Sequence, residues 1–323
     1  MQDSTTSSIL AIQVGNSRIK LATFRGEDPD ETVFVAKEDL TGAIEAAMRL
    51  YETIGAEPDS SIVVASVNRA ISDPLVSALR DQLSCDLFSV PEDMPAPIGT
   101  CLDAGARPGI DRLLNAAAAY AKLRQACIVV DAGTCITVDF VDGEGVFHGG
   151  AIAPGLRMQL KALHEHTAAL PAIDFAPPEG SAWGSNTRDA MIRGVYHGAR
   201  GLVWRLIEKY AEQYGGFPVV IATGGDAAML FAEDELINQI VPDLVLRGIA
   251  LSAKSALDPE GGEAAHASRA ATSAFSLLPD QVEPKPARRS LRSLADAAAP
   301  EKGHDHGHEH GHEHGDDCGC GQD

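Results

Sequence analysis

A repeat constrains this chain more than any other feature. The run Gln13-Val14-Gly15-Asn16-Ser17 lies between two apolar segments, Ile9–Val14 and Ile19–Phe24. The run Asp131-Ala132-Gly133-Thr134-Cys135 lies between two more, Cys127–Asp131 and Ile136–Val141. The copies start 118 residues apart. Each reads as a β-hairpin closed by a glycine turn. Repetition at that spacing predicts two similar domains, each opening with a hairpin, with a cleft between them that both turns face. Ser61–Ser66 and Pro218–Ala222 read as further strands, and Asp73–Leu83, Asp111–Leu123, Leu156–Leu163 and Arg188–Tyr214 carry helical patterns. Strands and helices mixed in this order predict an α/β fold.

The turns have phosphate-binding chemistry. A glycine lets backbone approach a phosphate closely, so that successive N–H groups point at its oxygens. Asn16 and Ser17 add side-chain donors to the first turn, and Lys20 adds positive charge. In the second, Asp131 stands at a strand end where a carboxylate can meet a cation, and Thr134 can hydrogen-bond a phosphate oxygen. Either turn alone reads equally well as an ordinary tight turn. The pair together carries more weight.

Asp111 follows Pro108-Gly109 at the start of a predicted helix. An acid there complements the helix dipole, or it serves as a general base toward a substrate hydroxyl. Arg112 beside it can hold a carboxylate. The glycine-rich run Gly149–Leu156 is predicted to pack tightly against a ligand or between domains and to lead into a helix. Thr187, after the polar turn Gly184-Ser185-Asn186, is a candidate helix cap or substrate contact. Gly224 and Gly225 follow a strand and could leave room for an adenine ring.

Composition sets the outer limits. The chain has 323 residues, 45% of them hydrophobic, enough for a core in roughly two domains. A net charge of −20 argues against nucleic acid as a partner. Cys85, Cys101, Cys127 and Cys135 show no disulfide framework, which fits a reducing cytoplasm. Residues 1–8 carry no basic signal-peptide start, and no apolar run is long enough to span a membrane. The globular part is expected over 9–257, as an N-terminal domain 9–124 and a C-terminal domain 125–257. Residues 258–323 bury too little to offset ordering and are expected to be a disordered tail. That tail ends in His304, His306, His308, His310, His312 and His314 with Cys318 and Cys320, a composition that binds Zn2+ or Ni2+.

The order of motifs resembles the type III pantothenate kinases, in the superfamily of acetate kinases, sugar kinases, Hsp70 and actin. The runs that carry the resemblance are Gln13–Ser17, Gly109–Arg112, Val130–Thr134, Gly149–Leu156, Thr167–Pro171, Gly184–Thr187 and Ala222–Gly225. The resemblance covers about residues 9–252. The resemblance implies two actin/acetate-kinase-like domains and ATP-dependent phosphorylation of pantothenate, the first step of coenzyme A synthesis. It implies a homodimer that needs Mg2+ or a similar divalent ion, with K+ or NH4+. Asp111 would accept the proton of the substrate hydroxyl. Gly109, Ile110, Asp111, Arg112 and Thr187 would contact pantothenate. Gln13, Val14, Gly15, Asn16, Ser17, Arg18, Ile19, Lys20 and Thr134 would bind ATP, and Asp131 the monovalent cation.

Two positions depart from the family's pattern. Gln13 stands where the family usually has Asp, and a neutral amide can accept from a metal-bound water but brings no charge. Leu102 stands where a pocket Tyr is common. Beside the kinase reading, Gln13 leaves open a non-catalytic paralogue that binds nucleotide or pantothenate.

Overall fold

Two β-sheets repeat one plan. In the computed structural model, residues 8–55, 60–83 and 85–257 are described. The readings for the tail, 258–323, lie outside them. In chain order the elements are β1 (Ile9–Val14), β2 (Arg18–Phe24), β3 (Pro29–Ala36), α1 (Leu40–Thr53), β4 (Ser61–Ser66), α2 (Arg69–Gln82), β5 (Asp86–Val90), β6 (Gly99–Thr100), α3 (Ile110–Leu123), β7 (Cys127–Ala132), β8 (Cys135–Val141), β9 (Val146–Pro154), α4 (Leu156–Glu165), α5 (Thr187–Tyr214), β10 (Val219–Thr223), α6 (Ala227–Phe231), β11 (Gln239–Ile240) and α7 (Leu244–Leu257).

The first sheet runs β3-β2-β1-β4-β5 and the second β11-β10-β7-β8-β9-β6. In each, a central strand pairs antiparallel with its hairpin partner on one side and parallel with a crossover strand on the other. β1 and β7 hold the same place. Apart from β6, the two sheets match strand for strand, which agrees with the duplicated α/β architecture read from the turns.

The two central strands read as continuous apolar runs because both of their faces are covered. Leu10, Ile12 and Val14 of β1 pack toward α1 and α2, while Ile9 and Ala11 pack toward α3 and α7. In β7, Ile128, Val130 and Ala132 face α4, α5 and α6, while Cys127 and Val129 face α3. Helix α3 is shared. Ile110 and Leu114 join the core of the first sheet, and Ala116, Ala118 and Ala119 join that of the second. The halves exchange elements across residue 124: α7 packs on β1 of the first sheet, and β6 pairs with β9 in the second.

Gly149–Pro154 forms the later part of strand β9, which leads into α4. Its glycines answer to neighbouring backbone. Gly150 lies opposite Asp139 in the register, and a Cβ there would overlap the Val138 carbonyl. Among the described residues, no helix is long and apolar enough to cross a membrane.

The closest approach between α3 and α7 is at Gly248, where a Cβ would overlap the Leu114 carbonyl. Gly248→Ala therefore forces the helices apart. It should cost about 1–3 kcal/mol and lower Tm by several degrees, roughly 2–4 °C per kcal/mol in a chain of this size. An unchanged melting curve would show that the crossing yields without strain.

Candidate active site

The two glycine turns touch. Ser17 Oγ and Thr134 Oγ1 share a hydrogen bond of 2.7 Å across 117 residues. In the first turn the Gly15 N–H donates to the Arg18 carbonyl at 3.0 Å, which leaves Asn16, Ser17 and Arg18 exposed at the tip. In the second, the Gly133 N–H donates to the Cys135 carbonyl at 2.9 Å, and Thr134 is exposed. Val14 and Ile19 point into the core and brace the first turn from beneath. Gln13 is buried at the end of β1, opposite Lys20 in the hairpin. Lys20 Nζ lies 3.3 Å from Asp243 Oδ1.

Asp131 is held by α3 and roofed by the loop after β10. Asn115 Nδ2 donates to its Oδ2 at 3.0 Å. Asn115 is four residues after Asp111, so both lie on one face of the helix, about one turn apart. Above, Gly224 has φ +95°, and a Cβ there would overlap both the Ala132 carbonyl and Asp131 Oδ1. The Asp226 N–H donates to the Ala132 carbonyl at 2.9 Å, and Arg157 Nη1 reaches both Asp226 carboxylate oxygens at 2.9 Å. Gly224 thus makes room for Asp131, whereas a Cβ on Gly225 would meet nothing within 4 Å.

Burial pushes the Asp131 carboxyl up to about 6, the nearby Lys20 ammonium draws it down, and Asp111 raises it further. Beside it, Asn115 Oδ1 is buried without a hydrogen-bond partner among the described residues. A carboxylate next to an unpartnered amide oxygen is a donor set for a hard cation, so these residues fit a monovalent ion. A divalent ion has less support from the protein. Among the described residues, no group of three or more His, Cys, Asp or Glu could hold a metal.

Asp111 lies in the first turn of α3, after the N-cap Gly109, and its Oδ1 accepts from the Arg112 N–H at 2.9 Å. A Cβ on Gly109 would lie 2.6 Å from Asp111 Oδ1, so the glycine keeps that carboxylate clear. Ile110 is buried against the first sheet, where its side chain anchors the helix. Arg112, read as a partner for a substrate carboxylate, already has one in Asp139. Its Nε lies 3.1 Å from both Asp139 oxygens, and Nη2 also bonds Oδ1. Leu102 packs with the Phe147 cluster and would lie 3.2 Å from a Cβ on Gly149.

Thr187 stands apart from this group. Asn186 caps α5, its side chain accepting from the Asp189 N–H at 2.9 Å, and Thr187 is the first helical residue. It opens onto a groove of about 1030 Å³ between α4 and α5, lined also by Met158, Leu163, Ala190 and Met191, which none of Gly109–Arg112 enters.

Asp139, Asn115 and Asp243 were missed by sequence reading. Asp139 did leave a signal, a lone acid inside the apolar run of β8. Asn115 did too, as an amide on the Asp111 face of an alanine-rich helix.

A model of the type III pantothenate kinase family matches residues 9–209. A type III pantothenate kinase of Rhodopirellula baltica is 38% identical over 276 residues, covering 73% of this chain and 98% of that one. That of Paramagnetospirillum magneticum is 34% identical, covering 75% and 95%. The chain belongs to the type III pantothenate kinase family. Among solved structures, a conserved Campylobacter jejuni protein placed in the Baf family of transcriptional activators aligns with a TM-score of 0.50 at 21% identity, covering 77% of this chain and 99% of that one. This likeness concerns the fold alone.

The raised Asp131 carboxyl has a consequence for stability. The native state keeps a proton there that the unfolded chain releases between about pH 4 and about pH 6. The stability this contributes is full below the unfolded value and lost as pH rises through about 6. In a buffer without potassium or ammonium, Asp131→Asn should therefore raise Tm over wild type more at about pH 7.5 than at about pH 4. A Tm difference that does not change with pH would mean that Asp131 carries no such burden.

Proposed function

We propose that the protein transfers the γ-phosphoryl group of ATP to the hydroxyl of pantothenate, giving 4'-phosphopantothenate. The observation that carries this reading is the Ser17–Thr134 hydrogen bond. It joins two turns rich in N–H and hydroxyl donors, beside a helix that bears Asp111 and reaches Asp131 through Asn115. The phosphates of ATP would lie against the backbone of Gly15–Ser17 and of Gly133–Thr134, with Lys20 adding charge at the first turn. Phosphoryl transfer is mainly a matter of positioning and charge. Asp111 accepts the proton of the pantothenate hydroxyl, whose oxygen bonds to the γ-phosphorus as the bond to ADP breaks. Asp131, with Asn115 beside it, would hold K+ or NH4+, whose charge offsets the carboxylate. Mg2+ bound to ATP would neutralise the phosphates, with Gln13 offering an amide acceptor to a metal-bound water.

A second reading, binding without turnover, rests on Gln13. Two variants separate the readings. Asp111→Asn should lower kcat by about 10²–10⁴-fold while ATP still binds. Turnover of pantothenate near the wild-type rate would remove Asp111 from the role of base. Gln13→Asp should lower the magnesium concentration needed for half-maximal rate, and an unchanged requirement would mean that residue 13 does not face the metal. Absence of turnover in wild type, with ATP binding intact, would favour the second reading.

A homodimer follows from the same reading. The apolar groove between α4 and α5, with Met158 41% exposed, is the surface that supports it. Sedimentation velocity should show a dimer that Ala190→Arg dissociates. A wild-type monomer at micromolar concentration would rule this out.

A further inference from the structure

Helix α3 begins with two adjacent side chains of opposite charge. Asp111 and Arg112 are near enough for the guanidinium to feel the carboxylate. If Arg112 turned back onto Asp111, it would occupy the acceptor lone pairs and make the carboxylate a poorer base. Asp131 on β7 and Asp139 on β8 are the other charged groups whose electrostatics couple to Asp111, and neither could replace a cation in that pairing.

The structure sends the guanidinium the other way. It passes over the Phe147 ring, 5.5 Å from the centroid, and meets Asp139 with Nε and Nη2. The slot is built for that pairing. The Asp139 side chain is 3% exposed and that of Arg112 14%. Asp139 stands opposite Gly150, where a Cβ would come within 2.6 Å of its Oδ1. Tyr210 of α5 closes the far side, its hydroxyl donating to the Val138 carbonyl at 3.3 Å. Stability alone is a poor reason for such a pair, because well-packed apolar residues often serve as well as a desolvated ion pair.

We propose that Asp139 is a positioning residue: it holds the Arg112 guanidinium away from Asp111, so that Asp111 stays open to the substrate proton. This rests on the reading of Asp111 as the base. The role is specific to charge. Removing Asp139 alone releases a cation beside Asp111, and removing both charges releases nothing.

Steady-state kinetics on the full chain with ATP, magnesium, potassium and pantothenate test it, with Tm recorded for each variant. Asp139→Asn should lower kcat about tenfold or more. Asp139→Glu should keep most of the rate. The double variant Arg112→Gln with Asp139→Asn should recover most of the lost kcat, although KM for pantothenate stays raised. A structural pair also recovers when both charges go, so the pH profile of kcat decides: a guanidinium turned onto Asp111 moves the acid limb of Asp139→Asn to lower pH, and an unmoved limb overturns the proposal. If Asp139→Asn keeps its kcat, or if the folded double variant is as slow as the single, the proposal fails. Should the single variant not fold, the double, which leaves no unpaired buried ion, is compared with Arg112→Gln alone: an equal kcat supports the proposal and a lower one overturns it. Asp111→Asn run in parallel tells the two ideas apart. If it keeps kcat, the base reading itself fails and the proposal with it. If it loses kcat while Asp139→Asn does not, only the role of Asp139 falls.

Discussion

The site depends on one helix being thin. Helix α3 lies between the inner faces of both sheets, with Ile110 and Leu114 turned to one and Ala116, Ala118 and Ala119 to the other. Alanines let the second sheet come close, and Gly248 lets α7 come close on the remaining side. Larger side chains on the alanine face would hold β7 away from β1 and part the turns at the ends of those strands. The hydrogen bond between Ser17 and Thr134 follows from packing some distance beneath it. The same helix brings Asp111, Arg112 and Asn115 to the junction, so the residues proposed for the chemistry are mounted on the element that sets the spacing.

The junction is crowded with acid. Burial, and then the charge of Asp111, raise the carboxyls of Asp131 and Asp139, against Lys20 at the first and Arg112 at the second. An anionic co-substrate entering such a place needs donors at short range, because the net field of a chain at −20 opposes it. Backbone N–H groups of two turns supply such donors at fixed positions. A cation against Asp131 would reduce the repulsion further.

Much of the fold was legible because its signals were local. Buried central strands read as unbroken apolar runs, and glycine turns stood out between them. Helices α3 and α5 announced themselves by periodicity and caps. β3, α1 and α7 were overlooked because their patterns are mixed: β3 is an edge strand with alternating exposure. Gly149–Pro154 was read only as a run that lets backbone pack closely, and in the sheet it is Gly150 that avoids the backbone of β8 and the carboxylate of Asp139.

The sequence by itself determined the duplicated architecture, the two turns, the acid at the start of α3 and the family. These are properties of residue order over short windows, and they survive without knowledge of what packs on what. Only the tertiary structure decided which distant groups meet. It joined Ser17 to Thr134, gave Arg112 to Asp139 rather than to solvent, set Asn115 against Asp131, and placed Thr187 on another surface. Each of these pairings depends on the thickness of a helix layer or on a missing Cβ across a sheet, and spacing along a chain does not encode such distances.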